Sequence, residues 1–395
     1  MSPGPLSGVR VVEFANLVAG PYAGMLLADM GADVIKVETP AGDLARGFGP
    51  YLRGESAFFL AVNRGKRSVA VDPKNLDARR WMDRLVGGAD VVLHNLRRGA
   101  MERMGYGEER VREMNPTVVY AVVSAFGADG PYADRAGIDI IFQAESGMVS
   151  ITGHPGDPPQ KTATTIGDYV AGTNAAFAVC AALFERERGG RGRRIDVSLR
   201  DGLLAVQSGW WALYFAQERQ PERTGTASPF LALNQILPTA DGHMALAIVS
   251  DRHFAILCEE LGRLDLAERF ASNDARMEGR PDLVEALTAI FVTDTTEAWV
   301  SRLDAAGLPV GRVLEFSGVE ADPQIAHNQM VAEWDHPTVG KIKGVGSPMR
   351  VDGDPTRAGS APPTLGQHTR EVLEELGAAP SEVDRLVAAG AVVLS

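Results

Sequence analysis

Asp168 stands in the stretch Thr164-Thr165-Ile166-Gly167-Asp168, directly ahead of a run from Tyr169 to Phe184 that carries no charge. A helix that is apolar all round belongs inside a core rather than on its surface. A carboxylate at the start of such a helix has two possible uses. It can cap a free helix N–H and sit at the positive end of the dipole. Alternatively it stays ionised as a nucleophile, with nearby backbone N–H groups holding a developing oxyanion. Spacing alone leaves both readings open. A second group of residues has chemistry of a different kind: Arg64, Lys66, Arg67, Lys74, Arg97, Arg98 and Arg103 gather cations in the first half of a chain whose net charge is −12. Taken singly, each reads as a solvated surface residue. Together they suit a small anionic ligand, whereas nucleic acid would require a broad basic face.

The elements around these residues alternate. Val9–Phe14, Val34–Glu38, Arg67–Val71, Asp90–His94 and Thr117–Ser124 read as strands, with helices at Pro21–Met30, 76–86 and 108–114. Strands separated by helices predict an α/β fold with a mostly parallel sheet covered on both faces. Ligands of such sheets bind beyond the carboxyl ends of the strands. The first strand–turn–helix offers Gly20 and Gly24 but no G-x-G-x-x-G, which weakens a nicotinamide-dependent oxidoreductase ending in Glu38. After Asp168, Arg193–Leu199 reads as a strand and Asp201–Gln217 as a helix whose Trp210, Trp211, Tyr214 and Phe215 are expected to pack in a core. The expected organisation is a large domain over 1–217, a linker at 218–230, and a smaller α+β domain over 231–313. A second connection spans 314–330, and 331–395 returns to the large domain. In the smaller domain Leu231–Leu237 and His243–Ile248 read as strands.

Hydrophobic content of 45% and charged content of 23% are those of an ordinary globular protein. Cys180 and Cys258 form neither a disulfide framework nor a metal-ligand spacing, so no metal is expected. Met1-Ser2-Pro3-Gly4-Pro5 lacks the pattern of a signal peptide, and no uncharged apolar run reaches about 18 residues. The expectation is a cytoplasmic enzyme with no membrane and no nucleic-acid partner.

Ordered motifs carry a resemblance. Leu6-Ser7-Gly8-Val9-Arg10-Val11-Val12-Glu13-Phe14 leads to Val18-Ala19-Gly20-Pro21 and Leu27-Ala28-Asp29-Met30-Gly31-Ala32-Asp33-Val34-Ile35-Lys36-Val37-Glu38. Then come Asn63-Arg64-Gly65-Lys66-Arg67-Ser68, Asp90-Val91-Val92-Leu93-His94-Asn95, Gly99-Ala100-Met101-Glu102-Arg103-Met104-Gly105, Gly167-Asp168 and Leu365-Gly366-Gln367-His368-Thr369-Arg370. In this order they resemble the class III coenzyme A transferases, a family that includes formyl-CoA and carnitine-CoA transferases and the α-methylacyl-CoA racemases.

The resemblance implies a Rossmann-like large domain, a smaller α+β domain and a homodimer of interlocked chains. It implies that Asp168 takes the acyl group as a mixed anhydride and then CoA as a thioester. The substrates are an acyl-CoA and a free carboxylic acid, with CoA as substrate and no permanently bound cofactor. The CoA grip falls on Val18, Ala19, Val71, Asp72, Lys74, Asn95, Leu96, Arg97 and Arg103, with Arg135 adding charge. Asn95 at a strand end suits an adenine or ribose edge, and Phe48, Ile138 and Asp139 fall at the substrate pocket.

Four departures modify the expectation. Thr39 and Val18 stand where formyl-CoA transferases have arginine and glutamine, and residues 222–230 lack their glycine-rich loop. Thr39 changes part of the nucleotide grip, while Val18, the missing loop and the aromatics Trp210, Trp211, Tyr214 and Phe215 point to an acid larger or more apolar than formate or oxalate. Ile138 stands where the racemases have their histidine, and isoleucine exchanges no proton, which disfavours racemisation. His94 and His154 read as ordinary strand-end and turn residues. A racemase, an oxidoreductase and a non-catalytic CoA-binding protein remain the alternatives.

Overall fold

The computed structural model describes residues 4–355 and 359–395; Met1-Ser2-Pro3 lies outside them. Six parallel strands form the main sheet: β1 (Arg10–Phe14), β2 (Asp33–Glu38), β3 (Arg67–Val71), β4 (Val91–His94), β5 (Val119–Ser124) and β6 (Arg194–Ser198). Their spatial order is β3-β2-β1-β4-β5-β6, and Val392–Val393 adds an antiparallel edge beside β3. Val11 of β1 pairs in register with Val34 on one side and Val91 on the other. The strand order therefore reverses at β1, which opens a crevice at the carboxyl ends there.

Successive strand residues feed opposite cores, as the period of a pleated strand requires. Val11, Val34 and Val91 join one core with α1 (Ala19–Asp29) and α4 (Ile166–Glu187). Val12, Ile35 and Val69 join the other, with Trp81, Met82 and Leu85 of α2 (Leu76–Gly87). The N-terminus of α2 is capped by Asn75, whose side chain accepts from the amides of Asp77 and Ala78. The C-terminal segment docks on β3: the Thr369 hydroxyl accepts from the Ala70 amide at 3.0 Å, and the Gly366 amide donates to Ser68 Oγ at 2.9 Å.

The chain divides into two compact units. The larger holds the described residues through Met148, Lys161–Phe215 and those from Pro323 onward; the smaller holds Val149–Gln160 and Ala216–Asp322. The smaller has an antiparallel sheet of Asn234–Pro238, His243–Ala247 and Val310–Arg312, with Phe254, Leu287, Phe291 and Trp299 in its core.

Four expectations require correction. Residues 149–160 group with the smaller unit because Arg223 donates to the carbonyls of His154 and Asp157, and Gly225 to that of Gly153. The strand expected from Leu231 starts at Asn234, since the Ala232 main chain is held instead by Asn273 and Arg276. Finally, α4 is not enclosed on all sides. Its small residues Ala171, Gly172, Ala175 and Val179 are buried, while Phe177 and Phe184 are 76% and 65% exposed. The expected aromatic helix is likewise broken in two, and its second part, Ser208–Gln217, has no buried residue, with Phe215 68% exposed. By length and composition α4 could span a membrane; here its small-residue face packs on α1 and the sheet.

Candidate active site

Asp168 is the third residue of α4. The N-cap position belongs to Thr165, three residues before Asp168, and no side chain caps the helix there. Its carboxylate has no hydrogen-bond partner among the described residues. The expected oxyanion donors are also taken within this turn: Asp168 N and Tyr169 N donate to Thr165 O, and Gly167 N donates to Asp139 Oδ1 at 2.8 Å.

Asp139 opens α3 (Asp139–Glu145) and is buried. A Cβ on Gly167 would lie 2.8 Å from Asp139 Oδ1, so the glycine is what lets the two helix starts meet. Fully buried Gln143 donates to the other carboxylate oxygen of Asp139 and accepts from Thr162 N at 2.9 Å. Asp139 thus has two N–H donors, and Asp168 has none. Burial, with the charge of Asp139 added to it, pushes the Asp168 carboxyl up to about 7. Two neighbouring carboxylates in unequal surroundings are a usual sign of assigned acid–base roles.

One helical turn after Asp168, on the same face, comes Gly172. A Cβ there would lie 2.7 Å from Ala19 O, so α1 crosses α4 at close range, and Tyr22 meets Tyr169 edge-on at 4.8 Å between ring centres. The amides of Ala19 and Gly20, at the start of α1, have no acceptor among the described residues, as first-turn amides lack one within the helix.

A cavity of about 280 Å³ opens at the carboxyl ends of β1, β2, β3 and β4. Asn16, Glu38, Thr39, Val71, Asp72 and Leu96 are among its walls. Of the residues named from sequence for CoA, Val71, Asp72 and Leu96 line it, and Val18 and Ala19 lie buried in the adjoining turn. Lys74, Arg97 and Arg103 are exposed, and none has an ion-pair partner among the described residues. Arg135 is paired with Glu145 and stacks on Phe126 and Tyr132. The Asn95 side-chain amide is engaged by the main chain of Asn16: its oxygen accepts from Asn16 N at 2.9 Å and its nitrogen donates to Asn16 O at 2.8 Å. Phe48 is 51% exposed against Phe58, and Ile138 is 63% exposed just ahead of α3. His94 is buried and uncharged, its pKa lowered to about 4 by burial.

Three of the cations taken for ligand binding are structural. Arg64 is held by Asp29 at 2.6 Å, Lys66 by Glu13 at 2.8 Å and Arg67 by Asp33 at 2.6 Å.

The description CoA-transferase family III matches residues 6–369, which contain both the carboxylate pair and the cavity. The chain belongs to that family. It is 37% identical over 382 residues to succinate–glutarate CoA-transferase of Agrobacterium fabrum, covering 94% of this chain and 96% of the relative. It is 35% identical over 376 residues to succinyl-CoA:glutarate CoA-transferase of Mus musculus, covering 94% and 86%. A crystal structure of a CaiB/BaiF family protein from Brucella suis superposes with a TM-score of 0.85 at 35% identity, covering 95% of this chain and all of that one.

This family III chain also holds functional candidates that the sequence reading passed over: Gln143, which orients Asp139, and the fully buried Lys36 with Glu13. Lys36 did leave a signal, since a charge flanked by Ile35 and Val37 in a strand covered on both faces must be paired.

Proposed function

We propose that this protein transfers CoA from a dicarboxylic acyl-CoA, with succinyl-CoA as the donor, to a free dicarboxylic acid of similar size such as glutarate. Asp168 carries the acyl group and then the CoA. The observation that carries this reading is the unpartnered, half-buried carboxylate whose pKa is pushed up to about 7. Asp168 attacks the thioester carbonyl, the C–S bond breaks, and CoA leaves as a thiolate from a mixed anhydride. The thiolate then attacks the aspartyl carbonyl, which releases the donor acid and leaves aspartyl-CoA. The acceptor carboxylate repeats the sequence in reverse.

With an ordinary aspartate near 4 and a thiolate near 8.5, the anhydride lies uphill by roughly 6 kcal/mol if leaving ability tracks basicity. With Asp168 near 7 the gap narrows to roughly 2 kcal/mol. Binding energy from the distant nucleotide supplies the remainder and keeps the thiolate in place for recapture. The cavity at the sheet's carboxyl ends suits that nucleotide, and the free Lys74, Arg97 and Arg103 suit its phosphates.

The donor and acceptor are taken from the Agrobacterium and mouse relatives, and Val18 in place of a polar residue is in keeping with an acid other than formate or oxalate. Ile138 offers no proton-exchanging group, which keeps racemisation the weaker reading. A cytoplasmic homodimer of interlocked chains is part of the same proposal. Phe177 and Phe184, seven residues apart on one face of α4, provide exposed apolar surface for a partner, and both cysteines are free.

The test is Asp168→Ala assayed by mass spectrometry with succinyl-CoA and a panel of free acids. Transfer is expected to vanish with the fold intact. Activity within about tenfold of the parent removes Asp168 as the nucleophile, since losing such a group costs far more.

A further inference from the structure

Three consecutive residues between β1 and α1 are each pinned through the main chain by a side chain from elsewhere. Lys36 Nζ donates to Ala15 O at 2.6 Å. The Asn95 amide holds both N–H and C=O of Asn16. Leu17 N donates to Asp43 Oδ1 at 3.0 Å, and Leu17 itself has φ of 66°, a left-handed conformation that a leucine adopts only under constraint.

The pins are themselves fixed. All three protons of the Lys36 ammonium have acceptors: Glu13 at 3.0 Å, Asp43 at 2.8 Å and Ala15 O. Glu13 bridges to Lys66, whose ammonium also holds Pro21 O at 2.7 Å in the first turn of α1. Asp43 takes a second amide, from Ala45 at 2.8 Å, and gives its own to Glu38. Lys36, Glu13, Lys66 and Asp43 are all buried. Burying that many charges is costly unless each is paired and hydrogen-bonded, and a well-packed apolar cluster would stabilise the fold as well or better. Stability alone therefore does not account for them.

The position of the pinned turn does. Asn16 lines the cavity, and Gly42 and Leu44, on either side of Asp43, line it as well. Two residues beyond the turn, Ala19 abuts Gly172 on the Asp168 face of α4. We infer that Asp43, Lys36 and Asn95 are positioning residues. Their pins on Ala15–Leu17 fix the separation between the nucleotide cavity and the Asp168 carboxylate. This rests on the proposal that the cavity holds the nucleotide of CoA. A turn free to shift would let the thiolate drift from the aspartyl carbonyl. Water would then attack in its place, giving the free acid and free CoA instead of a transferred thioester.

The test measures CoA affinity by calorimetry, and the fraction of succinyl-CoA hydrolysed rather than transferred, for the parent, Asp43→Ala and Asn95→Asp. Asn95→Asp has nearly the same shape: it keeps an acceptor for Asn16 N and sets a charged oxygen against Asn16 O in place of the donor, so it releases the turn and remains informative where Asp43→Ala does not fold. Thr295→Ala is the control. It removes a comparable helix cap in the smaller unit, where Thr295 accepts from Ala298 N. The positioning variants are expected to bind CoA about tenfold more weakly and to hydrolyse a several-fold larger share. The control is expected to lose thermal stability without changing either quantity. A folded positioning variant that matches the parent in both affinity and hydrolysed share overturns the inference. A parent that takes up no CoA overturns the assignment of the cavity instead.

Discussion

Replacing Asp168 by asparagine should abolish transfer and make the protein more stable above neutral pH. An aspartate in an unfolded chain loses its proton near 3.8; in the native chain Asp168 keeps it until about 7. Below 3.8 both states are protonated and the group contributes nothing to pH dependence. Between the two values the native state binds the extra proton, so stability falls as pH rises. Above 7 both states are ionised, and the full penalty of a poorly solvated carboxylate beside Asp139 persists.

A shift of this size sets a ceiling of about 4 kcal/mol. Asp168 is only half-buried, and solvent screening brings the expected effect to about 1–2 kcal/mol. Asparagine has nearly the same shape without the charge. The gap between parent and variant should therefore be about two-fifths as large at pH 5 as at pH 8, the variant higher. Thermal unfolding followed by circular dichroism across that range measures the gap. A gap of the same size at pH 5 and pH 8, or a parent more stable than the variant at pH 8, refutes the argument that burial and Asp139 strain this carboxylate.

The same carboxyl should govern the rate: kcat/KM should fall about tenfold per unit as pH drops below about 7, because the protonated carboxyl is no nucleophile. Initial rates between pH 5 and 8.5 measure this, and a flat acid limb contradicts it. Arg103→Ala and Lys74→Ala should each weaken CoA binding by about tenfold or more, the worth of one charge-assisted contact; calorimetry that finds neither changed moves the phosphates elsewhere. Gly167→Ala would put a methyl group against Asp139 Oδ1 and should destabilise by about 1–3 kcal/mol while lowering transfer, as denaturant titration and rate assays would reveal. An interlocked dimer should sediment as a dimer over an about hundredfold dilution, and a reversible, folded monomer excludes interlocking.

Much of the fold can be read from the sequence because it is written in local signals. Arg67–Val71 and Glu108–Met114 are found where their residue patterns place them, and most of the other strand and helix limits fall within two residues. Periodicity and turn residues act over a few positions, and so does the cap that Asn75 provides for α2. The candidate nucleophile is also local: a carboxylate directly before an uncharged helix is visible without coordinates.

What surrounds it was decided by contacts between residues far apart in the chain. Asp139 reaches the amide of Gly167 across 28 residues, Asp29 holds Arg64 across 35, and the Asn95 amide closes on Asn16 across 79. A basic residue in a sequence therefore cannot be assigned to a ligand or to an internal carboxylate from its neighbours alone. Lys66 and Arg103 look alike in composition, and only the tertiary structure pairs the first with Glu13 and leaves the second without an ion-pair partner among the described residues. The aromatic residues of Ser208–Gln217 and the two phenylalanines of α4 illustrate the same limit. Hydrophobicity says that a side chain should be covered, but the tertiary structure determines whether its own chain does the covering. The sequence alone settles where helices and strands form and which carboxylate starts the long one; the sheet order and long-range pairing decide which charges stay free.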